Sequence, residues 1–248
     1  MAKILIIPDV HGRTFWRKAC ELIDSVDKVI FLGDYLDPYP REGISSEDCI
    51  NNFAEILLFK RNHPDKVVLL IGNHDLHYLP RYQNYWGCRR DDSNFNRISN
   101  LFTMFITYFQ IAYKYDKYLF THAGVLQGWL DTINGKKKIR TTVKITGEKQ
   151  YTIDNLNDIF TDNPDLLVMI AEERGGRDVY GSCIWADVHE HLYINWEPPI
   201  PNIYQIFGHT MTYPTIYESY IGPNFAMLDS QTCYILENGE FTKIEHDA

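Results

Sequence analysis

Val67 to Leu79 reads VVLLIGNHDLHYL. Its first five residues, Val67–Ile71, form an apolar run of one strand's length, suited to burial on both faces. The run stops at Gly72 and is followed by an amide, an imidazole, a carboxylate and a second imidazole: Asn73, His74, Asp75 and His77. Polar residues this rich in metal and proton chemistry, set directly after a buried strand, place a candidate site at that strand's carboxyl end.

The same punctuation recurs along the chain. Lys3–Pro8 runs into Asp9-Val10-His11-Gly12, and Lys28–Leu32 into Gly33-Asp34-Tyr35-Leu36-Asp37. Later apolar runs end at Thr121-His122-Ala123-Gly124 and at Gly208-His209-Thr210. A single Asp or His in such a place is ordinarily a turn residue. Five such endings in succession point to one shared site. Carboxylate, imidazole and amide oxygen suit manganese, iron or zinc rather than a thiolate-preferring metal, and one carboxylate can bridge two ions ~4 Å apart.

Between these strand ends the pattern alternates. Thr14–Ser25 and Ser46–Arg61 read as helices, the second with Ile50, Phe53, Ala54, Leu57 and Leu58 on its apolar side. The resulting βαβαβ order predicts parallel neighbours with helices packed on the sheet. Further on, Phe95–Tyr108 and Leu156–Arg174 read as helical, the latter interrupted near Asn163-Pro164. Gln110–Tyr115 and Lys117–Thr121 read as strands, and Gly135–Tyr151, with its basic run Lys136–Arg140, as a surface hairpin. Tyr204–Phe207, Thr215–Tyr220, Phe225–Leu228, Cys233–Glu237 and Phe241–Ile244 complete the expected strands, the last two joined by the turn signal Asn238-Gly239. No linker or repeat interrupts the 248 residues, so one domain over 1–248 is expected, with a surface insertion around 135–180.

Composition narrows the function classes. Hydrophobic residues at 45% and charged residues at 23% indicate a globular chain. A net charge of −9 argues against a general duplex-DNA binder. The five cysteines, Cys20, Cys49, Cys88, Cys183 and Cys233, are dispersed and in no CxxC pair, which predicts free thiols in a reducing compartment. The N-terminal apolar run is only a strand long, without a signal peptide's h-region, and nothing approaches the ~18 apolar residues of a membrane span. A cytoplasmic location without membrane partners is the expectation.

Taken in order, D-x-H at Asp9, G-D at Asp34, G-N-H-D at Asn73, H-x-G at His122 and G-H at His209 resemble the signature of the calcineurin-like metallophosphoesterase superfamily. The resemblance implies an α/β fold, a β-sandwich of two mixed sheets flanked by helices, and a hydrolase carrying two divalent metal ions, manganese foremost, with iron or zinc as alternatives. It assigns Asp9 and His11 to the first metal, Asp34 to both, and Asn73, His122 and His209 to the second. His74 is similar to the family's non-ligand histidine, which protonates the leaving oxygen, and Asp37 to the aspartate supporting it.

Within the superfamily, Gly33-Asp34-Tyr35-Leu36-Asp37, Trp185-Ala186-Asp187 and a final Gly-His without a second histidine resemble the phosphoprotein phosphatase branch. That implies a phosphorylated substrate, with a protein phosphoserine or phosphothreonine as first choice. Asp75 in place of glutamate, together with Gln127-Gly128-Trp129-Leu130-Asp131 after the Thr-His-Ala-Gly motif, resembles instead the symmetrical diadenosine tetraphosphatases. A dinucleoside polyphosphate hydrolase is therefore one alternative, an RNA-end phosphatase another, and a scaffold without catalysis the non-enzyme reading. The branch's phosphate-clamping Arg-Gly after Asp37 is replaced by Pro38–Gly43, which leaves Arg41, Arg174 and Arg177 as candidate clamps. His77 reads as a packing residue beside Tyr78 and Leu79, while His189 and His191 are candidates for lining a substrate groove.

Overall fold

The structure, a computed structural model, describes residues 2–85, 87–192, 199–211 and 219–244. The chain forms two compact units, Met1–Gln110 with Ser230–Ala248, and Ile111–Asp229.

The first unit is built on a six-stranded sheet. Its strands are β1 (Ile4–Ile7), β2 (Lys28–Phe31), β3 (Val67–Leu70), β4 (Phe109–Gln110), β10 (Tyr234–Glu237) and β11 (Glu240–Lys243). Their order is β11-β10-β1-β2-β3-β4. β1, β2, β3 and β4 run parallel to their neighbours, as the βαβαβ pattern requires. The antiparallel hairpin β10–β11 adds to the other side of β1 and makes the sheet mixed. Its turn carries Asn238 at φ 53° and Gly239 at φ 87°, the two left-handed residues that a type I′ hairpin needs.

Crossover helices follow from the sequence. α1 (Trp16–Cys20) continues as a 3-10 turn over Glu21–Ser25. α2 (Ser46–Asn62) begins at Ser45, whose side chain accepts from the Asp48 N–H and satisfies one orphan donor of the first turn. Its buried face is Cys49, Ile50, Phe53, Ile56 and Leu57, whereas Leu58 is 44% exposed; Ile56 takes the inward place expected of Leu58. Phe53 meets Phe102 at 4.7 Å and Tyr35 at 5.3 Å between ring centroids, and Phe102 meets Phe109 at 5.2 Å. This aromatic cluster locks α2 and α4 (Phe95–Met104) to the sheet.

The second unit has a five-stranded mixed sheet: β5 (Ala112–Tyr115), β6 (Tyr118–Thr121), β7 (Tyr204–Phe207), β8 (Tyr220–Ile221) and β9 (Phe225–Met227), in the order β5-β6-β7-β9-β8. β6, β7 and β9 are parallel, with antiparallel strands at both edges. Val188, Phe207, Phe225 and Met227 form a core cluster in this unit.

Three expectations are corrected. Gln110–Tyr115 is not one strand: Gln110 ends β4 of the first sheet and Ala112 starts β5 of the second. Gly135–Tyr151 contains no strand. Leu156–Arg174 is interrupted at Asn163-Pro164 as expected, but the α-helix does not resume: α6 (Asn157–Asp162) is followed only by two 3-10 turns, Pro164–Val168 and Glu172–Arg174. Pro164 has no N–H to continue the helix, and it moves Asn163 out of helical geometry, at φ −138° and ψ 57°. Of the expected strand Thr215–Tyr220, residues 215–218 lie outside the described residues. All five cysteines are free, and among the described residues no helix is long and apolar enough to cross a membrane.

Candidate metal centre

In the first unit the three strand ends meet at carboxylates and imidazoles. Asp9, His11 and Asp34 are buried, and each offers a ligand atom within 4.8 Å of the others'. His11 at φ 45°, Asp34 at φ 52° and Asp37 at φ 59° occupy the left-handed region, which costs a non-glycine residue roughly 1 kcal/mol or more and is tolerated where the surroundings fix it.

Here the fixing agent is Asp75. Its carboxylate accepts from the backbone N–H groups of Asp34 at 2.7 Å, Tyr35 at 2.9 Å and Gly72 at 2.8 Å, and so ties the end of β2 to the start of α3 (Asn73–Leu76). Gly72 is required by close approach: a Cβ there would lie 2.1 Å from Asp34 Oδ1. That oxygen accepts from the His74 N–H at 2.9 Å. Asn73 is buried at the first position of α3.

These residues fit a metal ion. His11 Nδ1 lies 2.8 Å from the Leu36 carbonyl, which can only accept, so Nδ1 carries the proton and Nε2 the lone pair. That lone pair sits 3.4 Å from Asp34 Oδ2: two acceptors face one another, an arrangement that a cation between them satisfies. Burial, then the nearby His74 and Arg13, hold the His11 pKa well below its usual value, which keeps the ring in the neutral form that binds metal.

His74 lies beside this cluster, its ring 5.1 Å from that of His11. Its Nδ1 is 3.1 Å from Asp37 Oδ2, the same oxygen that His77 Nε2 approaches at 3.0 Å, and Tyr78 donates to Asp37 Oδ1 at 2.5 Å. Burial opposes ionisation of Asp37, but hydrogen bonds from His74 and His77 outweigh it and hold the carboxyl well below its usual range. For His74, burial disfavours the charged ring. Cys88 and Asp37 reverse that effect, and the pKa rises to about 9. Asp37 thus holds the His74 ring through Nδ1 and turns Nε2 away from that carboxylate.

The second unit supplies a histidine pair. His122 follows β6 and His209 follows β7, with the Gly208 N–H bonded to the His122 carbonyl at 2.9 Å. His122 Nε2 and His209 Nδ1 lie 3.1 Å apart, and His209 sits at φ 68°. Two buried imidazole nitrogens converging in this way are chemically competent as ligands of one ion. Arg174 Nη2 donates to the His209 carbonyl at 3.0 Å and to Thr210 Oγ1 at 2.6 Å, and its Nε pairs with Asp187 at 2.8 Å.

The other candidates separate. Arg41 is exposed, its guanidinium 5.1 Å from the Tyr39 ring, and Arg177 is exposed. His191 stacks on Phe207 at 4.8 Å and faces the Ala123 carbonyl, and its pKa is lowered to about 4 by burial; it is a packing residue. His189 pairs with Asp187. Sequence reasoning missed the bracing role of Asp75, the contact of His77 with Asp37, and Arg89, which donates to the Asp37 carbonyl at 3.0 Å. The i, i+3 spacing of His74 and His77 was the available signal for the second of these.

A crystal structure of a metallophosphoesterase from Sphaerobacter thermophilus is similar over 99% of this chain and 89% of that one, at 17% identity and a TM-score of 0.36. Residues 2–213 match the calcineurin-like phosphoesterase family, and the chain belongs to that family, whose members are hydrolases of phosphoric esters that use divalent metal ions.

Proposed function

We propose that this chain is a phosphomonoesterase of the protein serine/threonine phosphatase type, working with two divalent ions of which manganese is the first candidate. Asp9, His11 and Asp34 would hold one ion, and Asn73, His122 and His209, with Asp34, the other. When bound, the ions neutralise phosphate charge and make water a competent nucleophile at neutral pH. Arg174, anchored on the His209 carbonyl, is the first choice among the three candidate arginines, Arg41, Arg174 and Arg177, for binding phosphate oxygens. His74 donates the Nε2 proton to the leaving oxygen, and Asp37 keeps the ring oriented as it does so.

The observation that carries this reading is the His74–Asp37 pair at 3.1 Å, set beside the Asp9–His11–Asp34 cluster. The test compares p-nitrophenyl phosphate, an alkyl phosphate, a phosphoserine peptide and diadenosine tetraphosphate with added manganese. Asp34→Asn should lower metal content and reduce turnover at least ~100-fold. His74→Asn should keep its metal and lose alkyl phosphate hydrolysis by about 100-fold, the scale of general acid catalysis. Full activity of His74→Asn on the alkyl ester would remove the acid assignment. Preference for the dinucleotide over the peptide would transfer the substrate to the anhydride class, a reading favoured by the aspartate at position 75.

A further inference from the structure

The basic run Lys136–Arg140 opens a stretch of the second unit that phosphoester hydrolysis does not use. Between Gly135 and Gln150 stand six basic residues, Lys136, Lys137, Lys138, Arg140, Lys144 and Lys149, and one acid, Glu148, in a chain whose net charge is −9. No strand forms there, yet from Lys136 to Gln150 exposed and half-buried residues alternate without a break. A period of two marks an extended chain with one face on the protein and the other toward water. Ile139, Val143 and Ile145 are half-buried, whereas Lys138, Lys144 and Thr146 are exposed.

This stretch is anchored along its length. Asn134 donates to the Tyr151 carbonyl at 2.8 Å and accepts from the Tyr151 N–H at 2.7 Å. The buried Asp178 carboxylate accepts from the Ile170 N–H at 2.9 Å, from the Thr142 N–H and, at 2.7 Å, from the Thr142 hydroxyl. Lys149 pairs with Asp158 at 2.9 Å and with Asp162. Between these anchors the backbone neither bends nor turns at Lys144, Ile145 and Thr146. Among the described residues none of their backbone N–H or C=O groups has a partner. Backbone groups without a protein partner stand in contact with water, so the segment is an open strand edge, already ordered and with no strand beside it. Such an edge is a template for another extended chain.

Charge selects what the edge accepts. Arg140 is paired with Glu172, and Lys137 lies over the Tyr180 ring at 4.7 Å. Lys136, Lys138 and Lys144 are exposed and, among the described residues, have no carboxylate partner. A second copy of the segment would set lysine against lysine, and like charges across a strand pair oppose it. A nucleic acid would meet the lysines but offers no row of alternating donors and acceptors to the backbone. We propose that this edge docks an acidic peptide segment of a protein partner, which adds as a strand beside Lys144, Ile145 and Thr146 and sets its carboxylates against Lys144 and the lysines before it. The edge lies within the second unit, and its occupation does not depend on phosphate chemistry.

Fluorescence anisotropy with a labelled Glu-Val-Glu-Val-Glu-Val-Glu peptide, at physiological salt, tests the proposal. The peptide should bind, although the chain as a whole is acidic, and its twin with Gln for every Glu should bind about tenfold more weakly. The double substitution Lys138→Glu and Lys144→Glu should weaken the acidic peptide by about tenfold or more, with the melting temperature unchanged because neither side chain has a carboxylate partner to lose. Saturating peptide should slow hydrogen exchange about tenfold or more at an amide of Lys144, Ile145 or Thr146, which charge attraction without strand pairing would not do. Absence of binding, equal binding of the Gln twin, or unchanged exchange at all three amides would overturn the proposal. So would tighter binding of an oligouridylate, which would assign the lysines to nucleic acid, or a dimer in sedimentation that the double substitution dissolves, which would assign the edge to a second copy.

Discussion

His77 illustrates how one side chain serves both packing and chemistry. Its ring lies 4.4 Å from that of Tyr78, as a packing residue's would. Yet Cys88 Sγ is 3.3 Å from its Nδ1, and its Nε2 approaches Asp37 at 3.0 Å. Burial holds its pKa below the usual value, with Nδ1 facing the Cys88 sulfur and Nε2 facing the Asp37 carboxylate. If His74 is the acid, as proposed, His77 helps to position it through their shared partner Asp37. His77→Ala should lower kcat on an alkyl phosphate about tenfold, and lower it much less on p-nitrophenyl phosphate, whose leaving group needs no proton. A merely structural defect would depress both substrates equally. Asn73 and His74 stood out in the sequence as candidates because amide and imidazole directly after a buried strand suggest their chemistry. The sequence left His77 ambiguous because nothing in the chain between positions 37 and 77 states that the two side chains touch.

At the scale of elements, α7 (Val188–Leu192) shows a short helix held by its own acids. Asp187 accepts from the His189 N–H at 2.9 Å, in the manner of an N-cap. Glu190 accepts from the Asp187 N–H at 2.8 Å and the Gly181 N–H at 3.0 Å, and so fastens the Trp185-Ala186-Asp187 segment. The Glu190 carboxyl is only 2% exposed, and burial raises its pKa from 4.5 to about 7 against those two donors. Below about pH 4.5 the acid is protonated in the folded and unfolded chains alike. Between there and about 7 the unfolded chain releases its proton first, so this group's contribution to stability falls as pH rises, and it stays constant above. At about 1.4 kcal/mol per pH unit the decline amounts to roughly 3 kcal/mol. Glu190→Gln loses an acceptor, at about 1–3 kcal/mol, but also loses this pH dependence. Denaturant unfolding of both proteins should therefore show the variant weaker at pH 4.5 and closing the gap, or overtaking, by pH 7.5; parallel curves would refute the assignment. Elements read correctly in the sequence were those with a single dominant signal, such as the buried runs of β1, β2 and β3 or the Asn238-Gly239 turn. In Leu156–Arg174 the break at Asn163-Pro164 was legible from the proline, whereas the 3-10 turns in place of a resumed helix were not, because the apolar spacing continues past Pro164.

For the whole molecule, the metal-ligand motifs reveal more than the composition does, since each is fixed by chemistry at a strand end. The division of the chain was hidden for the opposite reason. At Gln110-Ile111-Ala112 it leaves the first unit without any glycine, proline or polar linker, through residues that read as one continuous strand. Its return was equally silent: Ser230–Ala248 rejoins the first unit and places β10 against β1, pairing Ile4 with Leu236 and Ile6 with Tyr234. β1 is therefore an inner strand on both sides, which explains why Ile4, Leu5, Ile6 and Ile7 are all buried. Removing residues 230–248 would leave β1 as an edge, with its backbone donors and acceptors unpaired and Ile235 and Leu236 gone from the core. Exposed apolar edges of this kind pair with other chains. A chain ending at Asp229, which still carries every candidate metal ligand, should accumulate as aggregates without measurable phosphatase activity, whereas one ending at Ile244 keeps both strands and should stay monodisperse and active. Size-exclusion chromatography and far-UV circular dichroism distinguish the two. A folded, soluble product from the shorter chain would mean that the four parallel strands suffice, and that the hairpin serves something other than the integrity of the sheet.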